Sequence, residues 1–216
     1  YEIRPRDWSS DVCSSDLFPG GRRMQVLHTV NGGAFWDDFT ANLPAGSVHG
    51  VAADLASGAI YVATDAGVFQ SYADLDGLGT VEPWTAVPGL PLAPVTDVML
   101  DAQGNQLWAA VDGYGVYSTL APHRLRDPKV VSAADLAAHA VAPGSLITVL
   151  GAKVDAVRVN GVSAPVLATS TTESQIQIPY GVRGGSVSFD AARKLPSLPL
   201  SETAPVIFFA RDGSPM

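Results

Sequence analysis

The sequence predicts an all-β protein: a partial β-propeller of about two and a half four-stranded blades, then a small, C-terminally truncated β-sandwich. Three observations predict it. A segment of about 47 residues recurs between residues 24 and 119, and a period of 40–50 residues built of short strands marks propeller blades. The last ninety residues break into short apolar segments separated by turn signals, the pattern of a sandwich. Glycine and proline number 21 and 16 among 216 residues, which favours turn-rich β structure over helical bundles.

Composition excludes several classes of function. Apolar residues make up 47% and charged residues 16%, enough for a packed core. The net charge of −8 and pI near 4.7 oppose binding to a phosphate backbone, which needs clustered Lys and Arg. The longest apolar run, Ala204–Ala210, falls far short of the roughly 18–20 residues that span a bilayer. A single cysteine, Cys13, forbids intrachain disulfides and multi-cysteine metal sites.

Residues 1–17 stand apart, with two Ser-Ser pairs, no periodicity and no secretory pattern. Back-translated with ordinary codons, Asp7–Leu17 resembles a widely used sequencing-library adaptor. This segment is expected to be non-native and is left out of the fold reasoning. A signal peptide, on this expectation, belongs to sequence upstream.

The repeat assigns the strands of residues 18–121. Val48, Val51, Asp54 and Tyr61 fall on Val95, Val98, Asp101 and Trp108 at a spacing of 47; Gly67 and Phe69 fall on Gly115 and Tyr117 at 48. Val48–Asp54 and Val95–Asp101 read as the innermost strands, rich in small and branched apolar residues. Asp54 with Ser57-Gly58, and Asp101 with Gly104-Asn105, carry turn chemistry. Ile60–Thr64 and Leu107–Val111 are second strands. Asp65–Gly67 and Asp112–Gly115 are hairpin turns into third strands. Phe35–Thr40 with Trp36, and Glu82–Val87 with Trp84, are expected as outer strands. Closed propellers need at least about four blades, so further blades of the full-length chain are expected as packing partners.

Thr29-Val-Asn31-Gly-Gly33-Ala-Phe-Trp36 resembles an Asp-box, the turn of sialidase-like and sortilin-like (BNR) propellers. The resemblance implies a structural turn for Thr29, Asn31, Gly33 and Trp36: the acidic position bonds backbone amides, glycine takes positive φ, and tryptophan packs between blades. Asn31 stands where Asp is usual. A second copy from Ser71, with Asp74 and Asp76, is degenerate.

Residues 122–128 read as a linker around Pro128, and residues 129–216 as the sandwich. Its expected strands are Ser145–Leu150, Ala156–Val159, Ala164–Ala168, Gln175–Ile178, Ser186–Phe189 and Val206–Phe209, with Asn160-Gly161 the strongest hairpin signal. Ala133–Ala140 is expected as a short helix. The segments Val141–Ser145, Val159–Pro165 and Gln175–Tyr180 resemble an uncharacterised Ig-like domain, of the IPT/TIG type, at the C-terminus of secreted bacterial proteins. That resemblance implies an extracellular or cell-surface location and carries over no catalytic residue.

No metal-ligand spacing joins His28, His49, His123 and His139, and no nucleophile elbow or phosphate loop occurs. No catalytic residue, metal or cofactor is therefore assigned. Asp65, Asp97, Asp112 and Tyr114 sit at strand ends and are the candidate ligand-facing residues, with solvated turn roles as the bland alternative. The function expected is non-catalytic binding of a glycan or surface protein, without nucleic acid. The alternative is a polysaccharide-acting glycoside hydrolase whose catalytic carboxylates lie in upstream blades. Fold alone does not choose between them.

Overall fold

A computed structural model describes residues 25–206 of the chain. The adaptor-like segment with Cys13, and most of the expected strand Val206–Phe209, lie outside the described residues. The fold is all-β, and the chain divides into two compact units between Thr119 and Leu120.

The described residues up to Leu120 hold nine strands: β1 (Leu27–His28), β2 (Asp37–Asp38), β3 (Val48–Asp54), β4 (Ala59–Thr64), β5 (Gly67–Tyr72), β6 (Thr85–Ala86), β7 (Val95–Leu100), β8 (Gln106–Val111) and β9 (Gly115–Leu120). They form three separate sheets in sequential order, β1-β2, β3-β4-β5-β6 and β7-β8-β9. None is closed. This is the partial propeller, with one complete blade between two incomplete ones. The outer strands are shorter than the sequence suggests: of Phe35–Thr40 and Glu82–Val87, only Asp37–Asp38 and Thr85–Ala86 keep ladder partners.

Alternation decides which way each blade faces, because successive strand residues point to opposite sides. In β4, Ile60 and Val62 join Val26, Phe39, Leu43 and Trp84 in one buried cluster with the first blade. Tyr61 points the other way, toward β7 of the third blade, which packs across β3 and β4. Trp84 links the first two blades most tightly. Its indole Nε1 donates to Phe39 O at 2.8 Å, and Asn42 clamps its backbone, accepting from Trp84 N at 2.7 Å and donating to Trp84 O at 3.1 Å.

Among its described residues the second unit contains a 3-10 turn at Pro122–Leu125 and nine strands: β10 (Lys129–Ser132), β11 (Leu146–Leu150), β12 (Val157–Val159), β13 (Val162–Ala164), β14 (Val166–Thr169), β15 (Glu173–Gln177), β16 (Ser186–Val187), β17 (Phe189–Asp190) and β18 (Leu198–Pro199). A four-stranded sheet, β10-β11-β15-β14, shares one apolar core with the smaller sheets β13-β12-β17 and β16-β18. Ile147, Val149, Ile176, Val159 and Val187 meet in that core. The expected single strand Ala164–Ala168 is split. Proline has no N–H to donate to a ladder, and at Pro165 the chain leaves one sheet for the other. Asn160 and Gly161 adopt φ of +48° and +80°, as a type I′ hairpin requires.

One expectation needs correction. Ala133–Ala140 is not helical but a series of turns. Ser132 and Asp135 bond nearby backbone N–H groups, and Leu136 takes φ +56°, which stops helix propagation. Among the described residues, Trp36 is half exposed and lies over Gly33 of its own turn. The 122–128 segment is held to the second unit. Arg193 donates to the carbonyls of Leu125 and Arg126 at 2.6 and 2.9 Å, and His123 and Arg124 are buried.

Candidate functional site

The candidate ligand-facing residues share one end of the second and third blades, because β3 and β7 begin there and the β4–β5 and β8–β9 turns lie beside them. A bulge interrupts each inner strand at the same repeat position. Between Val48 and Gly50, and between Val95 and Asp97, the register against the second strand shifts by one. The extra residues are His49 and Thr96, 47 apart. Bulges re-aim a side chain and increase local twist.

His49 and Asp65 pair, with Nε2 to Oδ1 at 2.7 Å, and the other oxygen of Asp65 accepts from Ser47 N at 2.8 Å. The Ser47 N–H, then His49, hold the Asp65 carboxyl below its ordinary value of 3.8. A carboxylate shifted downward contributes stability above its unfolded value, and that contribution is lost as pH falls through the lower folded value. We therefore expect a carbon-13 titration of the Asp65 carboxyl to show a midpoint below 3.8, with loosening of the 47–49 segment at that same midpoint. A midpoint at or above the ordinary value would mean that these bonds are absent in solution.

Asp112 is the repeat-mate of Asp65, and the backbone bond recurs: Asp65 N donates to Ser47 O and Asp112 N to Pro94 O, at 3.3 and 2.8 Å. The side-chain bond cannot recur, since Pro94 has no N–H to offer. Asp112 stays exposed, and its carboxylate makes no hydrogen bond among the described residues. Tyr114, two residues on in the same turn, is exposed as well, as is Leu92, which lies against Gly67 of the neighbouring turn.

Asp97 behaves differently. Its Oδ1 accepts from Val98 N at 2.8 Å, and the side chain lies against Gly50 of β3, where a Cβ would come within 2.8 Å of that oxygen. Gly50 is thus the residue that lets β7 approach β3. The repeated acids Asp54 and Asp101 serve turns: Asp54 accepts from the Ser57 hydroxyl at 2.6 Å, and Asp101 from Asn105 N and Gln106 N at 2.5 and 3.0 Å.

The Thr29–Trp36 turn is built by side-chain acceptors. Thr29 Oγ1 accepts from Gly33 N at 3.0 Å and Asn31 Oδ1 from Phe35 N at 2.9 Å, while the Thr29 hydroxyl donates to Asn31 Oδ1 at 3.0 Å. Gly32 and Gly33 take φ of +68° and +91°. Each bond to Asn31 Oδ1 uses it as an acceptor, so Asn31→Asp should keep the turn intact, whereas Asn31→Ala should cost about 1 kcal/mol in thermal unfolding.

Sequence reasoning missed His49 as the partner of Asp65 and Leu92 as part of the rim. The signal for the bulge was present: Val48/Val51 and Val95/Val98 are spaced by three, which breaks the period of two.

In the second unit, Asp135 and His139 pair at 2.6 Å beside a shallow pocket that also contacts Thr203 and Pro205. Burial opposes the charge on Asp135, but its bonds to His139 and Ala137 N outweigh burial and hold its carboxyl low. An open groove of about 870 Å³ beside β12 carries Lys153, Asp155, Arg158, Asp190 and Arg193, mixed in sign. Among the described residues no cluster of three metal-ligating side chains occurs, and no helix is long and apolar enough to cross a membrane.

No family model and no curated protein sequence matches the chain. Among solved structures it is similar, at 15% identity and a TM-score of 0.30, to PorZ, described as an essential bacterial surface component of the type-IX secretion system of Porphyromonas gingivalis. The alignment covers 76% of this chain and 32% of that one, so the chain spans about a third of PorZ's length.

Proposed function

We propose that the first unit consists of Asp-box propeller blades forming a non-catalytic recognition surface for an extracellular glycan or surface protein, and that the Ig-like second unit acts as its spacer or anchor. The Asp112–Tyr114 turn carries this reading. A carboxylate without a hydrogen-bond partner among the described residues sits two residues from an exposed aromatic ring, on the end of the blades where the bulges and turns gather. Carboxylates accept from sugar hydroxyls, and aromatic faces cover the apolar faces of sugar rings. Chemistry is disfavoured at this end. Glycosidic cleavage needs one carboxyl kept protonated opposite a second, yet the Ser47 N–H and His49 favour the charged form of Asp65, and Asp97 accepts from the Val98 backbone N–H. The acceptor-built Thr29–Trp36 turn supports the Asp-box reading, and the apolar core shared by the second unit's sheets supports the Ig-like one.

Binding of the intact chain to immobilised polysaccharides, with parallel assay for released sugar, tests the proposal. Asp112→Ala and Tyr114→Ala should each weaken binding about tenfold, near 1.4 kcal/mol, without changing thermal stability. Release of sugar, or binding indifferent to both substitutions, would overturn it.

A further inference from the structure

The chain carries two Asn-Gly dipeptides, Asn31-Gly32 and Asn160-Gly161. Such a pair can cyclise, because the glycine N, with no side chain on its own residue to shield it, attacks the amide carbon Cγ of the asparagine. Both asparagines are exposed, and a Cβ on either glycine would meet nothing within 4 Å. Exposure and crowding therefore do not separate the two sites. Hydrogen bonding does.

At Asn160 both ends of the carboxamide are tied down. Nδ2 donates to the carbonyls of Ser186 and Arg183 at 2.8 and 3.4 Å, and Oδ1 accepts from the Ser188 N–H and hydroxyl at 2.8 and 3.0 Å. Departure of Nδ2 breaks the first two bonds, and turning Cγ toward Gly161 N pulls against the others. At Asn31 only Oδ1 is engaged, by the Thr29 hydroxyl and the Phe35 N–H at 3.0 and 2.9 Å; Nδ2 has no partner among the described residues. Negative charge develops on that oxygen when Cγ is attacked, and donors already aimed at it stabilise the tetrahedral intermediate as an oxyanion hole does.

We propose that Asn31-Gly32 is a spontaneous modification site, converted from asparagine to aspartate in the folded chain while Asn160 is preserved. The Gly32 N–Cγ bond forms as Cγ–Nδ2 breaks, and Nδ2 departs as ammonia with the proton lost from Gly32 N. Water then opens the five-membered imide: cleavage of N–Cγ gives aspartate, and cleavage at the Asn31 carbonyl carbon gives the β-linked isomer. Water is the one co-reactant. The aspartate fits the turn, because Thr29 and Phe35 use Oδ1 only as an acceptor. The same change at Asn160 would set a carboxylate oxygen against the carbonyls of Ser186 and Arg183. The modification thus adds one negative charge to an exposed turn that also presents Phe35 and Trp36.

The test ages the intact chain in mildly alkaline and mildly acidic buffer, then maps its peptides by mass and measures released ammonia. Asn31 should show the mass change from NH2 to OH, faster in alkali, where more of the Gly32 amide is deprotonated. In the folded chain it should react at least about tenfold faster than Asn160, the factor expected from the additional bonds at Nδ2. In denaturant the two sites should react at similar rates. Asn31→Asp supplies the product standard, and the aged chain should match its isoelectric point. Equal rates in the folded chain, or reaction of Asn160 ahead of Asn31, would overturn the proposal. So would an Asn31 that reacts in denaturant but not in the folded chain, because its Oδ1 bonds would then be protective.

Discussion

Trp84→Ala is expected to destabilise the propeller unit by about 3–5 kcal/mol, the range for removing a large buried aromatic. The side chain is buried among Phe39, Ile60 and Val62, so truncation opens a cavity between the first two blades. It also leaves Phe39 O without the indole donor that reaches it at 2.8 Å, and a buried acceptor without a partner adds its own cost. Trp36→Ala, at the aligned position, should cost well under 1 kcal/mol of packing, because that ring is half exposed and covers only its own turn. Denaturant unfolding of the two variants checks the contrast. Equal losses would show that the two tryptophans play equivalent packing roles, contrary to this structure.

Gly151→Ala is expected to destabilise the second unit by about 2–5 kcal/mol, from backbone strain and overpacking together. Gly151 takes φ +85°, where side chains other than glycine are strained. A Cβ there would overlap the carbonyl oxygen of Arg124, a backbone atom that cannot rotate away. Relief requires moving the 122–127 segment, which carries the buried Arg124 and is anchored by Arg193. Besides a lower midpoint, hydrogen exchange should therefore speed up at Arg124, Arg126 and Asp127, whose amides bond Ala121 O and His123 O. An alanine variant with native stability and native exchange there would show that the segment is not packed as described.

The period of 47 residues made the inner and second strands legible, because Val48–Asp54 and Val95–Asp101 are marked twice and β3 and β7 form where both copies agree. Turn chemistry was equally readable: Asn160-Gly161 takes positive φ at both residues. What stayed hidden depends on contacts distant in sequence. Trp36 and Trp84 look alike in the repeat, yet Asn42 and Phe39 hold only Trp84, 42 and 45 residues away. The Ala133–Ala140 helix failed because Ser132 and Asp135 offered the backbone competing bonds. The split at Pro165 was visible as a proline, but which sheet each half would join depended on partners in β12 and β15. At the candidate site, the positions of Asp65 and Asp112 were readable. Their different commitments hinged on Ser47 against Pro94, a single N–H, and on a bulge that brings His49 to Asp65.

The recognition surface is tested most directly by nitrogen-15 chemical-shift mapping of the intact chain against a panel of soluble glycans. A binding glycan is expected to shift amides in 65–67, 92–97 and 112–115 together, to saturate with one constant, and to be recovered unhydrolysed. Shifts confined to the second unit, or conversion of the glycan to shorter products, would contradict it.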